Sequence, residues 1–263
     1  MNLIEAWSKW EPGTPPYILE ADRSLLYSMK SKKKIVVHES WEAAYSSDEF
    51  QGKADSSLHL GLIPQPFKGD VLNASIYILL LNPGLAASDY FGEHQVAEYR
   101  NALLTNLKQE FNYGKVPFFP LDPRFAWNGG FAWWNRKLKR VIAVIAEHKK
   151  ISFKEARESV ARKIASIELF PYHSSKFKDA DKWLENLPSV QLARNFVNQV
   201  VLDRVSSGKA VAIITRKVKV WSLPEMSGII TYSAGQARGA SLSPKTAGGK
   251  AILNQFDIDV TEA

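Results

Sequence analysis

Six apolar residues in succession, Ile76 to Leu81, end abruptly at Asn82-Pro83-Gly84. A run without polar alternation belongs to a strand covered on both faces, as in the middle of a parallel sheet. Pro83 has no N–H for a neighbouring strand and Gly84 permits a tight turn, so the chain has to leave the sheet at Asn82. In open α/β sheets, ligands gather beyond the carboxyl ends of the strands. Asn82 is therefore expected at a binding site, on a rigid base.

The same grammar recurs at Ile164 to Phe170, where Pro171 ends a mostly apolar stretch and Tyr172-His173-Ser174-Ser175 follows. Two unalternating strands both need central positions, which predicts that they are neighbours and that their exit loops meet. Ala210 to Thr215 and Ile229 to Tyr232 supply a third and a fourth strand. Helical spacing fills the intervals: Gln95 to Phe111, Trp134 to Ile145, a capping-box start at Ser152 and Glu155 running to about Lys163, Leu192 to Val205, a short piece from Lys217 to Leu223, and a last helix near Lys250 to Phe256. Between the first two, Lys115 to Gly130 is a proline-rich aromatic loop with Phe118, Phe119, Phe125 and Trp127. The fold class expected is α/β, a three-layer α/β/α sandwich on a central, mainly parallel four-stranded sheet. It occupies residues 61–263. Residues 1–60 form an N-terminal arm or extension of uncertain structure, with Ala21 to Met29 helical, Ile35 to Val37 extended, and a basic run at Lys30, Lys32, Lys33 and Lys34.

A chain of 263 residues, 45% hydrophobic, can bury a sizeable core. No run approaches the length of a membrane span and the first residues do not read as a signal peptide, so a soluble, cytoplasmic protein is expected. The absence of cysteine removes thiolate nucleophiles, disulfides, cysteine zinc sites and iron–sulfur clusters. Lys+Arg 34 against Asp+Glu 27 gives a net charge of +7, the sign suited to phosphate backbones. Basic residues also interleave with aromatics, at Trp133, Trp134, Arg136, Lys137, Lys139 and Arg140, and again at Lys176, Phe177, Lys178 and Trp183. Such mixtures hold phosphates and stack bases. They also describe ordinary helix surfaces whose aromatic side faces the core.

Asn82-Pro83-Gly84-Leu85 after a buried strand resembles the first active-site motif of the uracil-DNA glycosylase superfamily, especially the mismatch-specific and single-strand-selective branches with G-x-N-P-G. Leu80 stands where that motif has its first glycine. Pro123-Arg124-Phe125 and Trp133-Trp134-Asn135-Arg136 occupy the place of an aromatic, arginine-containing stretch in the mismatch branch. Ser241-Leu242-Ser243-Pro244 lies where the superfamily carries its second motif, without the His or Asn that usually begins it.

The resemblance implies that Asn82 aims water at the sugar carbon and that no metal or organic cofactor is needed. Pro83, Gly84 and Leu85 would frame the substrate, and Tyr90, Phe91 or Phe119 would stack on the base. His173 and Asp89 are the further catalytic candidates, with Tyr172 and Ser174 beside the base. Arg136, Lys176, Arg238, Ser241, Ser243 and Lys245 are the expected DNA contacts. The function expected is a monomeric DNA glycosylase for uracil or another modified pyrimidine, including bulky hypermodified bases such as those of some phages. The alternatives are a catalytically silent nucleic-acid-binding relative and a nucleoside or nucleotide hydrolase.

Overall fold

The computed structural model describes residues 1–28, 34–51, 56–111, 116–176, 184–232 and 241–259. Among them are seven strands: β1 (Ile35–Val36), β2 (Leu58–His59), β3 (Phe67–Lys68), β4 (Ile76–Leu80), β5 (Ile164–Glu168), β6 (Val211–Ile214) and β7 (Ile229–Thr231). β1 and β2 pair in parallel as a separate two-stranded sheet. The other five form one sheet in the order β3-β5-β4-β6-β7.

The expected neighbours β4 and β5 are adjacent, and both lie inside the sheet. Ile76 pairs with Val211 and Leu79 with Ile214, while Ala212 to Ile214 pair with Ile229 to Thr231, all in parallel. The strand missing from the sequence reading is β3, at the edge. It runs against β5: Gln65 N–H donates to the Pro171 carbonyl and Glu168 N–H to the Pro66 carbonyl, each at 2.8 Å, so numbering rises on one strand as it falls on the other. The sheet thus has five strands and is mostly parallel, where four were expected.

The chain divides into two compact units. The first comprises Met1–Phe67, Leu81–Glu110 and Glu168–Phe196; the second comprises Lys68–Leu80, Phe111–Ile167 and Val197–Ala263. The boundary expected at residue 60 does not coincide with this division. Residues 1–60 share a unit with the stretches that follow β4 and β5.

In the second unit, Ile76, Ile78 and Ile213 face a core built by the helix Gly129–Lys149 through Trp134, Leu138, Val141, Ile142 and Ile145. These recur at three- and four-residue intervals and so fall on one helix face. Each fully buried side chain of this size contributes roughly 1.5–3 kcal/mol. Asn128 caps the start by accepting from Gly130 N–H at 2.7 Å, and Lys150 ends the helix in the left-handed region. The next helix, Phe153–Lys163, has the expected capping box: Glu155 N–H donates to Ser152 Oγ, and Glu155 Oε2 accepts from Ser152 N–H. The loop before them folds inward, burying Phe118, Phe119, Leu121 and Phe125. The last helix, Ala247–Asn254, starts at Thr246, and a Cβ on Gly249 would stand 1.8 Å from the Ser243 carbonyl oxygen. Only glycine fits there.

In the first unit, the helix Leu3–Ser8 packs on Ala97–Lys108 and on Pro188–Phe196, and Glu20–Ser28 also packs on Pro188–Phe196. Asp22, fully buried, ties this together. Its Oδ2 accepts from the Tyr172 hydroxyl at 2.6 Å and its Oδ1 from Ser189 N–H at 2.9 Å, capping a helix distant in sequence. Burial nevertheless raises the Asp22 carboxyl above its ordinary range, with these hydrogen bonds opposing the shift.

Candidate functional site

Asn82 follows β4 and lies in the first unit. Its Nδ2 donates to the Ser174 carbonyl at 2.8 Å, joining the loops after the two central strands as their adjacency predicts. Among the described residues nothing donates to its Oδ1. An amide has two donors and an acceptor that a rotation would exchange; anchoring the donor end fixes where the acceptor end points. Asn82, Pro83, Gly84 and Leu85 are all half-buried, so the segment is reachable from outside.

The turn after Asn82 is held from behind. Gly84 has φ +73, a left-handed conformation suited to glycine. Its carbonyl lies 3.0 Å from His173 Nδ1. A carbonyl oxygen can only accept, so Nδ1 carries the proton. Asp89 Oδ2 stands 4.0 Å from the same nitrogen, favouring that proton electrostatically, and accepts the Ala86 N–H at 2.7 Å. Asp89 is thereby the third residue of the helix Ala87–Gln95, capping its start, and its carboxylate is buried. His173 is also buried, and its backbone carbonyl accepts from His59 N–H at 2.9 Å.

Behind this lies a polar, aromatic layer that the sequence reading did not assemble. Tyr90 is fully buried and its hydroxyl lies 3.1 Å from His59 Nδ1. Its ring meets His38 and Phe50 edge-on and stacks with His94 at 6.1 Å between centroids. His38 Nε2 lies 3.5 Å from Glu49, whose carboxyl is held down to about 2 mainly by its hydrogen bond to Lys34. Glu93 accepts from Ile63 N–H through Oε2 at 2.8 Å, while Oε1 has no partner among the described residues. Desolvation raises the Glu93 carboxyl well above the usual range. Burial likewise pushes the Tyr90 phenol up and the His94 imidazole down. Four of the five histidines therefore share one unit, at positions too far apart in sequence to signal each other. No group of three or more His, Asp or Glu among the described residues is arranged to hold a metal.

The remaining predicted residues divide by unit. In the first, Tyr90 and Tyr172 are not available as stacking rings: both are buried, and the Tyr172 hydroxyl is engaged with Asp22 and with Leu19 N–H. Phe91 is 37% exposed, edge-on to Trp41 at 5.5 Å, and Leu85 packs on the cluster of Ala44, Leu62 and Tyr90 that Trp41 also borders. The Ser174 hydroxyl donates to the Lys176 carbonyl at 2.9 Å, and Lys176 is exposed. In the second unit, Phe119 is buried within its 3-10 turn, which removes it as a stacking ring, while Arg136, Ser241 and Lys245 are exposed and Ser243 is half-buried. Arg238, together with Met29, Lys30, Lys32, Lys33, Phe177, Lys178 and Trp183, lies outside the described residues.

This arrangement offers an acceptor oxygen with a fixed direction, with a buried imidazole and carboxylate fixing the turn rather than reaching outward. It can orient a polar molecule. No protein-family model, curated relative or solved structure matches the chain.

Proposed function

We propose that the protein is a DNA glycosylase that hydrolyses the N-glycosidic bond of uracil or another modified pyrimidine, with Asn82 aligning the attacking water. The observation that carries the reading is the amide of Asn82, tethered through its nitrogen to the Ser174 carbonyl, with no donor to its Oδ1 among the described residues. Cleavage of an N-glycosidic bond builds oxocarbenium character on the sugar before water attacks, so the water needs alignment more than deprotonation. An asparagine oxygen suffices for that. A base stacked in a duplex has to be flipped out to reach such a group, and a flipped base is held between a ring and polar edges. Phe91, exposed beside the Asn82 turn in sequence, fits the ring's part.

His173 and Asp89 take supporting parts in this mechanism. The Nδ1 proton of His173 holds the Gly84 carbonyl, and Asp89 favours that proton electrostatically from 4.0 Å while holding the helix start through the Ala86 N–H. They are positioning residues, keeping Asn82-Pro83-Gly84 in one conformation as charge redistributes in the substrate. The reading includes a three-layer α/β/α arrangement, a cytoplasmic monomer acting on DNA, and hydrolysis with neither metal nor organic cofactor.

The test is direct. The protein is incubated with oligonucleotides that each carry one modified pyrimidine, and abasic sites are revealed by alkali cleavage. Cleavage at one base class, lost in Asn82→Ala, is the expected result. DNA binding without abasic sites on any substrate would leave the silent relative, and release of base from free nucleosides alone would leave the nucleoside hydrolase.

A further inference from the structure

We infer that the corner between the helices Gly129–Lys149 and Phe153–Lys163 is a membrane-docking tip, at which Ile151 and Phe153 enter the surface of an anionic lipid bilayer while Lys149, Lys150 and Lys154 hold its headgroups. It goes beyond the reading of Asn82 and does not depend on it.

Residues 147–155 are exposed without interruption. From His148 to Lys154 there are three lysines and no acid. The lysines make no ion pair among the described residues. The acids on either side are Glu147 and Glu155, and the second is drawn back to the helix start, its Oε2 accepting from the Ser152 N–H at 2.8 Å and the Ser152 hydroxyl at 2.7 Å. Ile151 is 37% exposed and Phe153 40%, and no other large apolar side chain of the two helices is exposed. Ser152 and Glu155 complete the cap between them, so an aromatic ring at the first helical position has no part in it.

The turn is built to enter a medium without water. Lys150 N–H donates to the Glu147 carbonyl at 3.2 Å and Ile151 N–H to the Ala146 carbonyl at 3.0 Å. With Ser152 N–H on Glu155, every N–H from Lys150 to Ser152 has a partner within the corner. A backbone group lacking one would resist leaving water.

Three kinds of surface carry the complementary charge, and they fit unequally. A duplex offers phosphates to the lysines but keeps its apolar surface inside the stack, and Ile151 has no flat face for a base. An acidic protein needs about 800 Å² on each side for a stable interface, more than two isolated side chains supply. A bilayer needs neither groove nor matching shape: apolar side chains enter the acyl boundary while lysines stay among the headgroups.

The experiment sediments the full chain with vesicles of phosphatidylcholine alone, and of phosphatidylcholine and phosphatidylserine in equal parts. The mixed vesicles should retain the protein and the neutral ones should not. Phe153→Ser should weaken binding roughly tenfold, and Lys149→Gln and Lys154→Gln about fivefold each. Leu72→Ser and Lys139→Gln, at exposed positions of the same unit outside the corner, should bind as the wild type does. Urea midpoints establish that each variant is folded. The chain has no cysteine, so Ile151→Cys takes a single environment-sensitive dye, whose emission should move to the blue with the mixed vesicles. Retention that falls as much with Lys139→Gln as with Lys154→Gln would overturn the site, reducing it to net charge. A dye silent towards the mixed vesicles, or responding to an oligonucleotide in their place, would overturn lipid as the occupant.

Discussion

Asn82 and Ser174 are 92 residues apart in sequence and joined by one hydrogen bond of 2.8 Å, side-chain amide to backbone carbonyl. The bond ties two strand-exit loops and sets which end of the amide faces outward. Removing the side chain removes both functions. Asn82→Ala should slow single-turnover excision by about a hundredfold or more, the scale of losing one positioned polar group. Asn82→Asp separates the two roles, because a carboxylate keeps an acceptor but repels the Ser174 carbonyl. Rates for Asp close to wild type would show that the tether is dispensable.

The His173–Gly84 contact predicts a mixed phenotype. His173→Ala leaves the half-buried Gly84 carbonyl without its donor, which costs about 0.5–1.5 kcal/mol of stability, and frees the turn. Urea unfolding should show that loss, and excision should slow at saturating DNA with little change in DNA affinity. If affinity falls while the rate constant holds, His173 contacts the substrate after all.

Tyr172→Phe tests a residue the sequence placed beside the base and the structure places in the core. Its hydroxyl is a donor to buried Asp22. Loss of that donor should cost about 1–3 kcal/mol in urea unfolding, and the excision rate constant should be unchanged. Slower excision at intact stability would return Tyr172 to the substrate.

Glu93 gives a pH-dependent prediction. In the folded chain its carboxyl titrates well above the ordinary range, while in the unfolded chain it ionises near 4.5. Above that pH the unfolded state releases a proton that the folded state keeps, so stability falls as pH rises. The slope is about 1.4 kcal/mol per pH unit while the folded carboxyl stays neutral. Glu93→Gln keeps an oxygen for Ile63 N–H and cannot ionise. Between pH 5 and 7, denaturant midpoints for Glu93→Gln should therefore exceed those of the wild type increasingly with pH. Parallel pH profiles would mean that Glu93 is charged in the fold.

The central strands and the meeting of their exit loops were legible because β4 is wholly apolar, β5 is apolar but for Ser166 and Glu168, and proline closes the stretch after each. Strands of two residues leave no period to read, so β2 and β3 went unseen, and with β3 the fifth position in the sheet. The helix Ala87–Gln95 was hidden by its own start: Ala86 makes no side-chain cap, and Asp89 acts from the third helical position. Without that helix its phase was unknown, and phase alone decides that Tyr90 points inward while Phe91 is exposed. The layer of His38, His59 and His94 is an assembly of long-range contacts, for which adjacent residues carry no cue.

The bond from Ser189 N–H to Asp22 spans 167 residues, and it sets an order on synthesis. Residues 1–28 leave the ribosome with Asp22, Leu3 and Trp7 lacking the surfaces that later cover them; Ala97–Lys108 supplies part of these, and the rest arrives when the helix Pro188–Phe196 has been made. Closing so long a loop is entropically costly and slow. Residues 1–28 are therefore made long before the helix that completes their burial, and they find their place only once it is there.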